Sequence, residues 1–76
     1  MTFLVYSKDT CSFCDKAKQL LEDYDFVYKE KKLENPEYRQ ELLSRLPSAK
    51  TVPQIFMDSE YIGGYTELKQ YLEERQ

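Results

Sequence analysis

The chain has 76 residues, a formal charge of −3 and a 41% hydrophobic fraction that includes seven Tyr and four Phe. That length holds one domain with a modest core, and the aromatic content sets it apart from disordered chains, which are aromatic-poor. Two cysteines are too few to frame a secreted disulfide-rich domain, the apolar runs are too short for a signal-peptide core or a membrane span, and an acidic chain is unsuited to displacing phosphate counterions from nucleic acid. The expectation is one soluble domain, residues 1–76, of a reducing cytoplasm, with Lys8, Lys16, Lys18 and Lys50 available for one local basic patch.

Residues 2–6 form a short apolar and aromatic run ended by the polar residues 7–10, which reads as a buried first strand leading into a loop. From Cys14 onward Ala17, Leu20, Leu21 and Tyr24 recur at helical spacing, with Lys16, Lys18, Glu22 and Asp23 on the other face. This predicts an amphipathic helix beginning at or just after Cys11. Residues 26–32 set Phe26 and Tyr28 against Val27 and Lys29, the alternation of a second strand. Asn35 followed by Pro36 reads as a helix N-cap and first turn, and Tyr38, Leu42, Leu43 and Leu46 supply the apolar stripe before Pro47 stops it. Residues 47–53 form a loop. A strand follows at Gln54–Met57, then a tight turn at 58–60, a partner strand at Tyr61-Ile62, and the Gly63-Gly64 pair. Residues 66–75 close the chain as a helix with Leu68, Tyr71 and Leu72 inward.

The order is βαβαββα. Its first three elements suit a parallel βαβ unit and its last two strands a hairpin, giving a four-stranded mixed sheet flanked by three helices, an α/β fold. Ligands of open α/β sheets gather beyond the carboxyl ends of parallel strands, where the cysteine loop leaves the first strand.

Cys11-Ser12-Phe13-Cys14 has the spacing at which two sulfurs can bond across the first turn of a helix. Regular helical geometry holds the two Cβ atoms too far apart, so Cys11 is expected just outside the helix. There, unpaired backbone N–H groups and the helix dipole stabilise its thiolate, lowering a pKa of about 8.5 for free Cys. Cys14, one turn inside, receives less of this. Cys11 is thus the attacking thiolate and Cys14 the resolving thiol. Lys8 and Lys16 favour the thiolate while Asp9 and Asp15 oppose it. Two alternatives stand beside this reading. A disulfide staple closing so short a loop adds only roughly 2 kcal/mol. A zinc site wants four ligands, and the chain offers two Cys and no His.

Three segments carry a wider resemblance: Cys11-Ser12-Phe13-Cys14, Thr51-Val52-Pro53-Gln54-Ile55-Phe56 and Ile62-Gly63-Gly64-Tyr65-Thr66-Glu67-Leu68. They resemble, in order and spacing, the Cys-Pro-Tyr-Cys, Thr-Val-Pro and Gly-Gly-x-x-Asp segments of the glutaredoxin family, specifically dithiol glutaredoxins of bacteria and their viruses. The resemblance implies a thioredoxin-like fold. It implies a cis Pro53 beside the cysteines, against the roughly one-in-twenty frequency of cis X-Pro bonds, with the backbone of Val52 free to pair with an extended substrate. It implies glutathione as reducing co-substrate, with no resident cofactor or metal. Eight residues would contact glutathione: Gly64, Tyr65 and Thr66 at its γ-glutamyl end, Thr51 and Val52 beside its cysteine together with Pro53, and Lys8 and Phe13 at its glycine end.

The implied activity is glutathione-dependent reduction of protein disulfides and glutathione mixed disulfides by a monomer, with electrons from NADPH through glutathione reductase. Ribonucleotide reductase is a candidate client. Rival readings are a redoxin served by thioredoxin reductase and a dimer bridged by a [2Fe-2S] cluster. Three positions depart from the family pattern: Ser12 replaces Pro and brings a hydroxyl toward Cys11, Phe13 replaces Tyr, and Glu67 replaces Asp, where it can bind ligand or cap its own helix.

Overall fold

Side chains of a strand alternate between the two faces of a sheet, and the first strand uses both faces for core. In the computed structural model, which describes residues 1–74, strand β1 (Phe3–Ser7) sends Phe3 and Val5 into one hydrophobic cluster and Tyr6 into another. A strand buried on both faces belongs inside a sheet. Accordingly β1 is central, parallel to β2 (Tyr28–Lys32) on one side and antiparallel to β3 (Gln54–Met57) on the other, with β4 (Glu60–Gly63) on the far edge. Ile55 and Phe56 of β3 repeat the division, one in each cluster.

Helices α1 (Ser12–Asp23) and α3 (Tyr65–Glu74) cover the first face, with Ala17, Leu21, Leu68 and Leu72 packed against Phe3, Val5 and Ile55. Helix α2 (Pro36–Arg45) covers the second and buries only Leu42. Polar contacts reinforce that thinner layer. The hydroxyl of fully buried Tyr6 donates to Glu41, Lys31 donates to the same carboxylate at 2.8 Å, and the Arg45 guanidinium lies 3.8 Å from the centre of the Phe56 ring.

The element order matches the expected βαβαββα, with β1 shifted one residue later than expected and other boundaries moved as follows. Asp25, at φ 61°, ends α1: its N–H donates to Glu22 O and that of Phe26 to Leu21 O, a Schellman closure with Asp where Gly is usual. This turn consumes the residues expected to open β2, which starts at Tyr28; Phe26 still packs on the core, 5.2 Å from the Phe3 ring, while Val27 is exposed. Asn35 caps α2 by accepting the Glu37 N–H at 2.9 Å, with Pro36 in the first turn. Leu43, placed by its spacing in the apolar stripe, is instead 42% exposed, and Leu33, just past β2, is buried in its stead. Strand β4 begins at Glu60 and α3 at Tyr65, each one residue earlier than expected. The expected end of the last helix at Arg75 lies outside the described residues.

Candidate active site

The loop after β1 delivers Cys11 to the start of α1. Thr10 adopts φ 54°, a left-handed conformation that a β-branched residue rarely takes. Cys11 follows with extended geometry (φ −126°, ψ 106°) as the N-cap, outside the regular helix as its spacing requires. It forms a disulfide with Cys14, their Cα atoms 5.2 Å apart. The Cys14 N–H donates to Cys11 Sγ at 3.2 Å. A free N–H of the first turn thus points at the sulfur that would carry negative charge. Exposure separates the two cysteines: Cys11 is half-buried and Cys14 fully buried. Only Cys11 can be reached by a large disulfide.

Charges around the pair are unevenly matched. Asp9 is tied to Lys32 at 2.6 Å and Asp15 to Lys18 at 3.6 Å, whereas Lys8 and Lys16 form no ion pair among the described residues. The carboxylates that would oppose a Cys11 thiolate are therefore partly neutralised. Lys16 lies 5.0 Å over the ring of Phe13. The exposed Ser12 hydroxyl has no hydrogen-bond partner among the described residues; the contact to Cys11 Sγ comes from backbone instead. Beneath α1, the buried Ser7 donates to Glu30 at 2.6 Å and Lys18 to the same oxygen at 2.9 Å. Burial pushes the Glu30 carboxyl up, but Ser7 and Lys18 outweigh it and hold it below its ordinary value.

Val52-Pro53 is cis, and the Val52 carbonyl oxygen lies 4.0 Å from Cys11 Sγ. Gln54 braces this loop by donating to the Thr51 carbonyl at 2.9 Å, and Tyr61 donates to Gln54 at 2.6 Å. A groove of about 170 Å³ runs from here to the N-terminus of α3, lined by Phe13, Thr51, Val52, Pro53, Gly64, Tyr65, Thr66 and Glu67. The rings of Phe13 and Tyr65 stand 5.8 Å apart across it. Seven of the eight expected ligand contacts thus share one groove. Lys8 does not: it lines a second groove with Arg39 and Lys50, which meets the first at Thr51 and Val52. Lys50 and Lys8 do fall together as the sequence suggested, while Lys16 and Lys18 point elsewhere.

Glu67 takes the capping role. Its carboxylate accepts the Gly64 N–H at 2.8 Å, and Gly64 O accepts the Leu68 N–H at 3.0 Å, which makes Gly64 the N-cap and Glu67 the third helical residue of a capping box. Gly63, at φ 129°, has no room for a side chain, since a Cβ there would stand 2.7 Å from that of Glu67. The Gly64 N–H is already bonded, so an anion at this terminus meets the N–H groups of Tyr65 and Thr66. The contributions of Thr10 and Tyr61 carried no motif in the sequence, and Gln54, though inside the Thr51–Phe56 segment, signalled no bracing role there.

A mixed four-stranded sheet with a Cys-x-x-Cys pair at a helix N-terminus and a cis-proline loop against it defines a thioredoxin-like redox fold. The family model for glutaredoxin matches residues 3–62. Glutaredoxin 1 of Rickettsia felis is 37% identical over 65 residues, 83% of this chain and 64% of its own length; Glutaredoxin 3 of Escherichia coli K12 is 34% identical over 64 residues, 84% and 77%. The solution structure of reduced Escherichia coli glutaredoxin superposes with a TM-score of 0.82 at 30% identity, over 97% of this chain and 95% of that one. The chain belongs to the glutaredoxin family, whose members are thiol-disulfide oxidoreductases, and it carries a Cys-x-x-Cys pair of its own at Cys11 and Cys14.

Proposed function

We propose that this chain reduces protein disulfides and glutathione mixed disulfides with glutathione as its reductant. The observation that supports it most is the half-exposed Cys11 at the N-cap of α1, accepting a backbone N–H and facing the Val52 carbonyl where two grooves meet. The Cys11 thiolate attacks a client disulfide, forms a mixed disulfide with one client sulfur and expels the other as a thiolate that takes a proton from solvent. Cys14, deprotonated, then attacks Cys11 Sγ, which releases the second client thiolate and closes the Cys11–Cys14 disulfide. Two electrons have passed to the client. Two glutathiones return them, one attacking Cys11 and the second resolving that mixed disulfide to oxidised glutathione. For a client already joined to glutathione, Cys11 alone takes the glutathionyl group.

In this reading the glutathione sulfur sits at Cys11, its backbone lies along Thr51, Val52 and Pro53 with Phe13 alongside, and its γ-glutamyl carboxylate meets the Tyr65 and Thr66 N–H groups. Lys8 attracts the glycine carboxylate from the adjoining groove. Electrons come from NADPH through glutathione reductase, the protein acts as a monomer in the reducing cytoplasm, and ribonucleotide reductase is a candidate client. The chain is supplied in turn with glutathione plus glutathione reductase and with thioredoxin reductase, and NADPH consumption is followed with a glutathionylated substrate. Turnover with the glutathione system is expected; turnover with thioredoxin reductase alone would overturn the reading in favour of a redoxin without a glutathione site.

A further inference from the structure

Gln54 opens β3 as a polar side chain that is only 6% exposed, directly after the loop that both grooves share. A buried amide destabilises the fold unless it is hydrogen-bonded, and this one is satisfied from two sides. Its Nε2 donates to the Thr51 carbonyl at 2.9 Å and to Thr51 Oγ1 at 3.2 Å, while its Oε1 accepts from the Tyr61 hydroxyl at 2.6 Å. Chemistry fixes these directions. A carbonyl can only accept, so the amide must turn its NH2 end to Thr51 and its oxygen to Tyr61. The Tyr61 hydroxyl is therefore a donor. Burial and the nearby Glu67 carboxylate push its phenol up, which keeps the proton in place, and its ring is held 5.2 Å from that of Phe56. At the other end, the Thr51 hydroxyl spends a lone pair on Gln54 and keeps its own proton, which finds no acceptor among the described residues.

We propose that Tyr61 and Gln54 are positioning residues that set the Thr51 hydroxyl as a hydrogen-bond donor facing the groove, so that the site prefers a disulfide whose sulfur is carried by a peptide. The inference rests on the reading of glutathione as the ligand and deepens it. In that reading Thr51 stands beside the cysteine of glutathione, where a peptide carbonyl is the acceptor that the hydroxyl meets. A small disulfide without amides or carboxylates offers no such acceptor and gains nothing from the relay. Neither Tyr61 nor Gln54 touches the ligand; both act through Thr51.

The test uses the pre-reduced protein in single-turnover reactions, with a glutathionylated small thiol and with bis(2-hydroxyethyl) disulfide. Tyr61→Phe keeps the ring and removes only the donor; Gln54→Leu removes the amide. The half-saturating concentration of the glutathionylated thiol is expected to rise about threefold in Tyr61→Phe and about tenfold in Gln54→Leu, with the saturated rate little changed. The rate with bis(2-hydroxyethyl) disulfide should stay level in both. Thr51→Ser, which retains the hydroxyl, should behave as the unaltered protein, and in Thr51→Val the further change Tyr61→Phe should add nothing. Unchanged half-saturation in both variants, equal losses on the two disulfides, or a Tyr61→Phe effect that persists in Thr51→Val would overturn the positioning role. If the unaltered protein reduces bis(2-hydroxyethyl) disulfide but does not react with the glutathionylated thiol, the glutathione reading itself is overturned.

Discussion

Cys11 and Cys14 are chemically alike, and their surroundings make them different. Cys11 is half-exposed and accepts a first-turn N–H; Cys14 is buried one turn further on. After reduction, the pH dependence of alkylation is expected to give Cys11 a midpoint below the roughly 8.5 of a free thiol, with Cys14 modified only on unfolding. A midpoint at or above the free value would remove the electrostatic reason for assigning attack to Cys11. The spacing of the pair made its position legible in the sequence. Thr10 was not, because nothing in a β-branched residue announces a left-handed φ. Gly63 shows the reverse case, a glycine whose need is specific: Gly63→Ala forces a side chain into a positive φ and onto Glu67, and should cost about 1–3 kcal/mol by denaturant unfolding. A loss below a few tenths would show that the α3 cap relaxes freely.

At the scale of elements, hydrophobic period located every helix and strand, and boundaries failed where capping chemistry intervened. Asp25 closes α1 in a role usually given to Gly, which the sequence does not signal, so β2 was expected to start at Phe26. Helical spacing places Leu43 in the stripe of α2, because spacing alone cannot tell a core contact from an apolar residue left exposed at the edge of that face. Between α1 and β2 the Ser7–Glu30–Lys18 contacts make a pH-dependent tie. The folded Glu30 carboxyl is held below its ordinary 4.5, so its contribution is present above that pH and lost as pH falls through the folded value. Glu30→Gln should therefore lower unfolding free energy by about 1–2 kcal/mol at neutral pH, and the gap to the unaltered protein should close on acidification. A gap that persists unchanged in acid would place the effect in packing rather than in charge.

At the scale of the molecule, the two faces of the sheet are unequal. The α1/α3 face holds Phe3, Val5, Ala17, Leu21, Ile55, Leu68 and Leu72; the α2 face holds Tyr6, Leu33, Leu42 and Phe56, supplemented by the Tyr6–Glu41–Lys31 contacts. Amide exchange should follow that asymmetry, with α2 opening at lower free energy than α1. Equal protection of the two helices would mean that the polar contacts compensate for the thinner core. The active site sits where both layers meet the Thr51–Val52 loop, and both grooves use it. The sequence showed the components of the first groove through three short motifs. The second groove is assembled from Lys8, Arg39, Leu43 and Lys50, which have no shared motif and come together only through the fold.

The most direct test of the account is to react the Cys14→Ser protein with oxidised glutathione and weigh the product intact and after digestion. A single glutathionyl adduct on Cys11, stable until further glutathione is added, is the predicted result. No adduct at Cys11 would contradict its role as the nucleophile and, with it, the proposed function.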